Sequence, residues 1–279
     1  MALSIFADAL PFTEVENNYH DWFPDIQIGE LIPNIGYSSS LHWQLYCNKY
    51  PDDRGILLDW KKVPEKNKLV RFLSTFLSPL DRTDLPGLIV RKALDRKVFK
   101  RNVFANIPFK FRKEFSDCGK YLFWDKDTYG VEPIFAGYNV VSQDEGHLSF
   151  DATIEKYYKT LEEENPNIFL NTGFADALGH TIARGDRYSA KLKPYMDIMH
   201  KVISDYLFRF PNEEVLIISD HGMSTVKHRV EYPFEALFGH QSEHSYIVYS
   251  DSCFICIWCY DKSIQTKIEQ YLASKEEGH

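Results

Sequence analysis

An aspartate and a histidine stand side by side at Asp220-His221, directly after the aliphatic run Val215-Leu216-Ile217-Ile218. A carboxylate oxygen with an imidazole nitrogen is a donor set that suits zinc, and the carboxyl end of a strand is where α/β sheets keep their chemistry. Taken alone, Ser-Asp-His-Gly also reads as a polar turn. Two other places offer the same donors. Asp8 closes the apolar run of residues 3–7, and Asp176 and His180 are four apart, so one helical turn would bring them to the same side. Ser38, Ser39 and Ser40 stand ahead of residues 41–47, which have the length of about two helical turns. A serine there is first of all an N-cap. The same spot also supplies free backbone N–H groups and a positive helix end, which favour phosphate.

The elements that must position these groups follow from hydrophobic periodicity. Residues 215–218 read as a buried, parallel strand at the centre of a sheet. Residues 3–7, 134–141 and 167–170 read as further strands, and residues 246–260 as another. Helices are expected from about 150 to 164 and over 188–208, the periodicity of the latter interrupted only by Pro194. This alternation predicts an α/β fold, a mostly parallel sheet with helices on both faces. Residues from about 60 to 125 are rich in Lys, Arg and Phe and read as a helical insertion beside the site. Amphipathic pieces are expected at 67–77 and 88–98. Its basic residues read either as a solvated face or as contacts to an anionic substrate. A single domain spanning 1–279 is expected, carrying this insertion.

With 279 residues the chain can bury a substantial core, and it carries a formal charge of −8 without a long Lys/Arg run. That balance argues against non-specific binding to nucleic acid or anionic membranes, while leaving room for a local basic pocket. No apolar run approaches the roughly 20 residues of a membrane-spanning helix. The first residues lack the basic start of a signal peptide. A soluble, cytoplasmic chain is expected. Five cysteines, an odd number, point to reduced thiols. Cys253, Cys256 and Cys259 resemble a metal box, but their hydrophobic setting favours core cysteines, with Cys256 and Cys259 on opposite faces of a strand.

The order of these signals resembles the alkaline phosphatase superfamily, most closely its type I phosphodiesterase/nucleotide pyrophosphatase branch. The resemblance rests on Asp8, Gly36-Tyr37-Ser38-Ser39, Tyr50-Pro51-Asp52-Asp53-Arg54-Gly55-Ile56, Asp176-Ala-Leu-Gly-His180 and Ser219-Asp-His-Gly-Met223. It covers nearly the whole chain and is weakest between about 60 and 125. It implies an alkaline-phosphatase-like fold and two divalent metal ions, usually zinc, with Mn or Mg as substitutes. Asp8, Ser38, Asp220 and His221 would hold one ion, and Asp176 and His180 the other. Ser38 would be the nucleophile of a phosphoric ester hydrolase working through a phosphoseryl intermediate, with Ser39 the fallback. The implied substrate is a small phosphate ester or nucleotide-like molecule. A phosphomonoesterase, a phosphotransferase or a catalytically inactive scaffold of the same fold are the alternatives. Two departures stand out. Cys47-Asn48 replaces the family's Thr-Gly, and Arg54 its His, which bears on specificity. The family's last ligand histidine lies in a segment beyond the one that residues 246–260 resemble. The chain is therefore expected either to be C-terminally truncated or to use His228, His240 or His244 instead, His228 being favoured by proximity.

Overall fold

The computed structural model describes residues 2–22, 27–31, 60–62, 64, 66–79, 89, 93, 108–117, 134–143, 148–224, 230–250 and 255–275. Among these the chain runs β1 (Ala2–Ala7), α1 (Phe12–Asn18), β2 (Trp60–Lys61), α2 (Lys68–Phe76), β3 (Ser116–Asp117), β4 (Asn139–Ser142) and α3 (Phe150–Leu161). It continues through β5 (Ile168–Thr172), α4 (Phe174–Thr181), α5 (Asp186–Arg209), β6 (Glu214–Ile218), α6 (Phe234–Phe238), β7 (Tyr246–Ser250), β8 (Ile255–Cys259) and α7 (Lys262–Ala273). The chain divides into two compact units, Met1–Arg54 with Lys120–Val226 and Gly55–Gly119 with Lys227–His279. Residues 55–119, most of the expected insertion, thus gather with the last part of the chain.

The first unit is α/β. Its strands are all parallel, in the order β4-β5-β1-β6. Leu3, Ile5, Ala7, Ile168 and Leu170 share one face, where α5 lays down Tyr188, Leu192, Tyr195, Met199, Val202, Ile203 and Tyr206. Those positions recur at the helical period, which is why a 24-residue helix forms despite Pro194, a residue on its exposed side. Two of the buried phenols are hydrogen-bonded: Tyr157 Oη donates to the Val202 carbonyl and Tyr206 Oη to that of Pro166. The opposite face carries Ser4, Phe6, Phe169, Asn171 and Ser142, all buried, with Phe135 stacked on Phe169. Among the described residues the helices packed in the main core stand on the first face, so the expected second layer is not seen among them.

Three expectations change. Strand β6 is parallel to β1 but ends the strand order among the described residues, and Leu216 and Ile217 are 45% and 40% exposed. Its aliphatic run is that of an edge, not of a buried central strand. Residues 134–138 form a turn with Gly137 at φ 84°, and the strand begins only at Asn139. Within residues 246–260, β7 and β8 pair antiparallel, so the stretch holds two strands and not one.

In the second unit, α2 starts where Asn67 accepts the N–H groups of Leu69 and Val70, so the expected amphipathic helix at 67–77 is present. It packs beside the 3₁₀ helix Phe109–Glu114. The β7–β8 pair has two apolar faces. Cys256 and Trp258 pack with Phe111, Phe115, Ile247 and Tyr249, whereas Cys259 packs with Phe234, Tyr246 and Ile268. Cys256 and Cys259 thus lie on opposite faces, as the spacing predicts. The expected helix at 88–98 lies almost wholly outside the described residues.

Candidate metal centre

Parallel pairing puts the carboxyl ends of β1, β5 and β6 level, with Ala7 opposite Thr172 and Phe6 opposite Ile218. Asp8, the first turn of α4, and Asp220-His221 therefore converge at one end of the sheet. Asp8 is set by its own N–H, which donates to the Thr172 carbonyl at 3.0 Å. Ala9 then turns through φ 57°, an unfavourable conformation for a residue with a Cβ, and its N–H reaches Asp220 Oδ1 at 3.4 Å. Asp220 is almost fully buried, and Oδ1 accepts a second N–H from His221 at 3.0 Å. Those two bonds turn Oδ2 towards the imidazole.

The orientation of His221 follows from one contact. Its Nδ1 lies 2.8 Å from the Gly222 carbonyl, which can only accept, so Nδ1 carries a proton and Nε2 is the ring nitrogen turned towards the carboxylates. Nε2 stands 3.6 Å from Asp8 Oδ1 and 3.6 Å from Asp220 Oδ2. Both separations are too long for hydrogen bonds. They match the edge of a zinc tetrahedron, whose ligand atoms stand about 3.4 Å apart. Asp8, Asp176 and His221 each offer a ligand atom within 4.8 Å of the others. On the next turn of α4, His180 Nε2 lies 3.3 Å from Asp176 Oδ1, the same edge again. Carboxylates held this close repel one another unless a cation stands among them, so the donor set fits a metal.

Close packing holds these loops in place. A Cβ on Gly179 would come within 2.5 Å of Met223 Cγ, and one on Gly222 within 3.3 Å of Pro11, so both glycines permit contacts a side chain would block. Arg184 donates to Thr13 Oγ1 at 2.7 Å and to the Met223 carbonyl at 3.4 Å, tying α1, the end of α4 and the β6 loop together. Buried Glu14 accepts from Ser189 and Asn18 and lies 3.8 Å from the same guanidinium. Beneath the site, Tyr195 Oη and Thr172 Oγ1 are 2.8 Å apart. Tyr188 is buried between Asp176, Glu14 and Arg184, and burial, then the Glu14 charge, push its phenol up to about 12.

The structure thus brings together Asp8, Asp176, His180, Asp220 and His221. Asp176, expected only beside His180, also stands with Asp8 and His221. Ser38, Ser39, residues 50–56, His147 and His228 lie outside the described residues. His240 and His244 belong to the second unit, where His240 Nδ1 lies 3.3 Å from Glu235. No sequence motif marks the supporting residues Arg184, Glu14, Thr172 and Tyr195; only α5's periodicity hints that Tyr195 is buried. Comparison with known protein families, curated proteins and solved structures finds no match to the chain. No helix among the described residues is long and apolar enough to cross a membrane.

Proposed function

We propose that the protein is a metal-dependent phosphoric ester hydrolase of the phosphodiesterase/nucleotide pyrophosphatase type. The observation that carries this reading is the convergence of Asp8, Asp176 and His221 at the ends of three parallel strands, with Nε2 of His221 turned towards two carboxylates. Asp8, Asp220 and His221 would hold one divalent ion and Asp176 with His180 a second, zinc being favoured by the nitrogen and oxygen donors. Metal bound there would neutralise phosphoryl charge and lower the pKa of a hydroxyl nucleophile. The chain's own part is to hold the Asp220 carboxylate in place through the Ala9 and His221 N–H groups and to anchor the His221 ring through Nδ1 on the Gly222 carbonyl. The nucleophile is Ser38, on the strength of the resemblance: its Oγ would displace the alcohol arm of the ester from phosphorus, that arm leaving with a proton, and water would then cleave the phosphoseryl ester to release the phosphate product and restore the serine hydroxyl. The substrate is a small phosphate ester or nucleotide-like molecule, and the odd number of cysteines fits the cytoplasm.

The test is hydrolysis of bis(p-nitrophenyl) phosphate by zinc-loaded protein and by Ser38→Ala. Turnover that needs metal and is lost in the variant is the expected result. Undiminished turnover in Ser38→Ala would remove the nucleophile assignment, and no metal-dependent turnover of diester or monoester would remove the catalytic reading.

A further inference from the structure

The overall negative charge conceals a strong asymmetry. Residues 55–119 hold 15 Lys and Arg against 7 Asp and Glu, within a chain of formal charge −8. Helix α2, sequence KLVRFLSTF, lies in this stretch and contains no acidic residue. Only Val70 and Ser74 are buried. Leu69, Phe72 and Phe76 are 52%, 62% and 68% exposed, and the two phenyl rings stack at 5.9 Å. At 100° per residue these three side chains fall within an arc of about 60°, with Lys68, Thr75 and Arg71 following along one flank. The exposed half of the helix is therefore split into an apolar stripe and a cationic border. Lys66, also exposed, precedes it.

We propose that α2 docks the protein on an anionic lipid surface. Leu69, Phe72 and Phe76 would enter the boundary between headgroups and acyl chains, and Lys68 and Arg71 would meet the lipid phosphates. Three large apolar side chains left in water on one short helix call for an apolar partner, and the cations beside them call for an anionic one. A bilayer with acidic headgroups offers both, layered in the same order as the helix presents them. A nucleic acid would satisfy the cations but leave Leu69 without a matching surface. This docking does not depend on the catalytic reading, because none of these residues is placed at the metal centre.

The experiment is co-sedimentation of the full chain with vesicles of phosphatidylcholine containing phosphatidylglycerol, against vesicles of phosphatidylcholine alone. Binding to the mixed vesicles only, weakened by salt, is expected. Phe72→Ser with Phe76→Ser should weaken it by roughly tenfold or more through lost apolar insertion, and Lys68→Glu with Arg71→Glu should do likewise. All four positions are exposed, and an unchanged circular dichroism spectrum would confirm that the variants fold. Hydrolysis of a water-soluble diester should not change in either. No binding to mixed vesicles, equal binding to both vesicle types, binding by both variants as by the parent, or capture by a duplex oligonucleotide that vesicles cannot displace would each overturn the proposal.

Discussion

His221 and Asp220 divide the work of the candidate centre at the level of single atoms. The Gly222 carbonyl fixes the proton on Nδ1, and a ligating histidine with its second nitrogen so anchored is pre-oriented for a metal. Asp220 uses Oδ1 for two backbone N–H groups and presents Oδ2 to the imidazole. An amide in its place would keep the shape and the accepting oxygen while removing the charge. Asp220→Asn is therefore expected to keep the fold and to lose more in zinc affinity than the roughly 10–100-fold that follows from disturbing a ligand's supporting partners, because Asp220 would itself be a ligand. Competition titration with a chromophoric chelator measures this. Parent-like affinity would exclude Asp220 from the centre. Asp8, Asp176, His180, Asp220 and His221 were all legible as candidates from residue type and place alone, because each directly follows an apolar strand or sits one helical turn away.

At the scale of elements, α4 is set against the β6 loop by a contact that only glycine allows. Gly179→Ala would ordinarily strengthen a helix by about 1 kcal/mol. Here the added methyl meets Met223 Cγ at 2.5 Å, well inside van der Waals contact. The variant is expected to lower thermal stability and zinc affinity together, and Met223→Ala added to it should recover the affinity. A variant more stable than the parent, with unchanged affinity, would show that α4 does not depend on this contact. Local pattern revealed the strands, α3, α5 and the Asn67-capped helix, since periodicity and caps are written in adjacent residues. It did not reveal that β6 ends the strand order among the described residues, because Val-Leu-Ile-Ile suits any apolar neighbour and exposure is decided by what pairs beside it. The turn at 134–138 looks like strand in the sequence because Ile134, Phe135, Ala136 and Tyr138 run on into Asn139–Ser142, whereas Ser250-Asp251-Ser252, where β7 ends, was a polar break that could have divided that stretch in two. The Arg184 and Tyr195 supports join residues distant in sequence, so no local signal announced them.

Over the whole molecule, buried tyrosines link stability to alkaline pH in both units. Tyr188 and Tyr206 in the first unit and Tyr246 in the second are each pushed up to about 12, first of all by burial. Tyr157 and Tyr195 are also raised, for the same reason. In an unfolded chain a tyrosine ionises near its ordinary value of about 10. Between about 10 and 12 the unfolded state therefore binds fewer protons than the folded one, and stability falls as pH rises. The stabilisation from keeping these phenols neutral is complete below pH ~10 and is lost as pH climbs through the folded value. Each such tyrosine contributes a slope of about 1.4 kcal/mol per pH unit across that window. Tyrosinate absorbance and circular dichroism followed together through an alkaline titration should then show the buried phenols ionising in step with loss of structure. Tyr246→Phe should flatten the alkaline transition of the second unit and leave that of the first unchanged, Tyr206→Phe the reverse. Smooth ionisation of every tyrosine near pH 10 with the circular dichroism intact would mean that these rings are open to water, contrary to the packing of both cores.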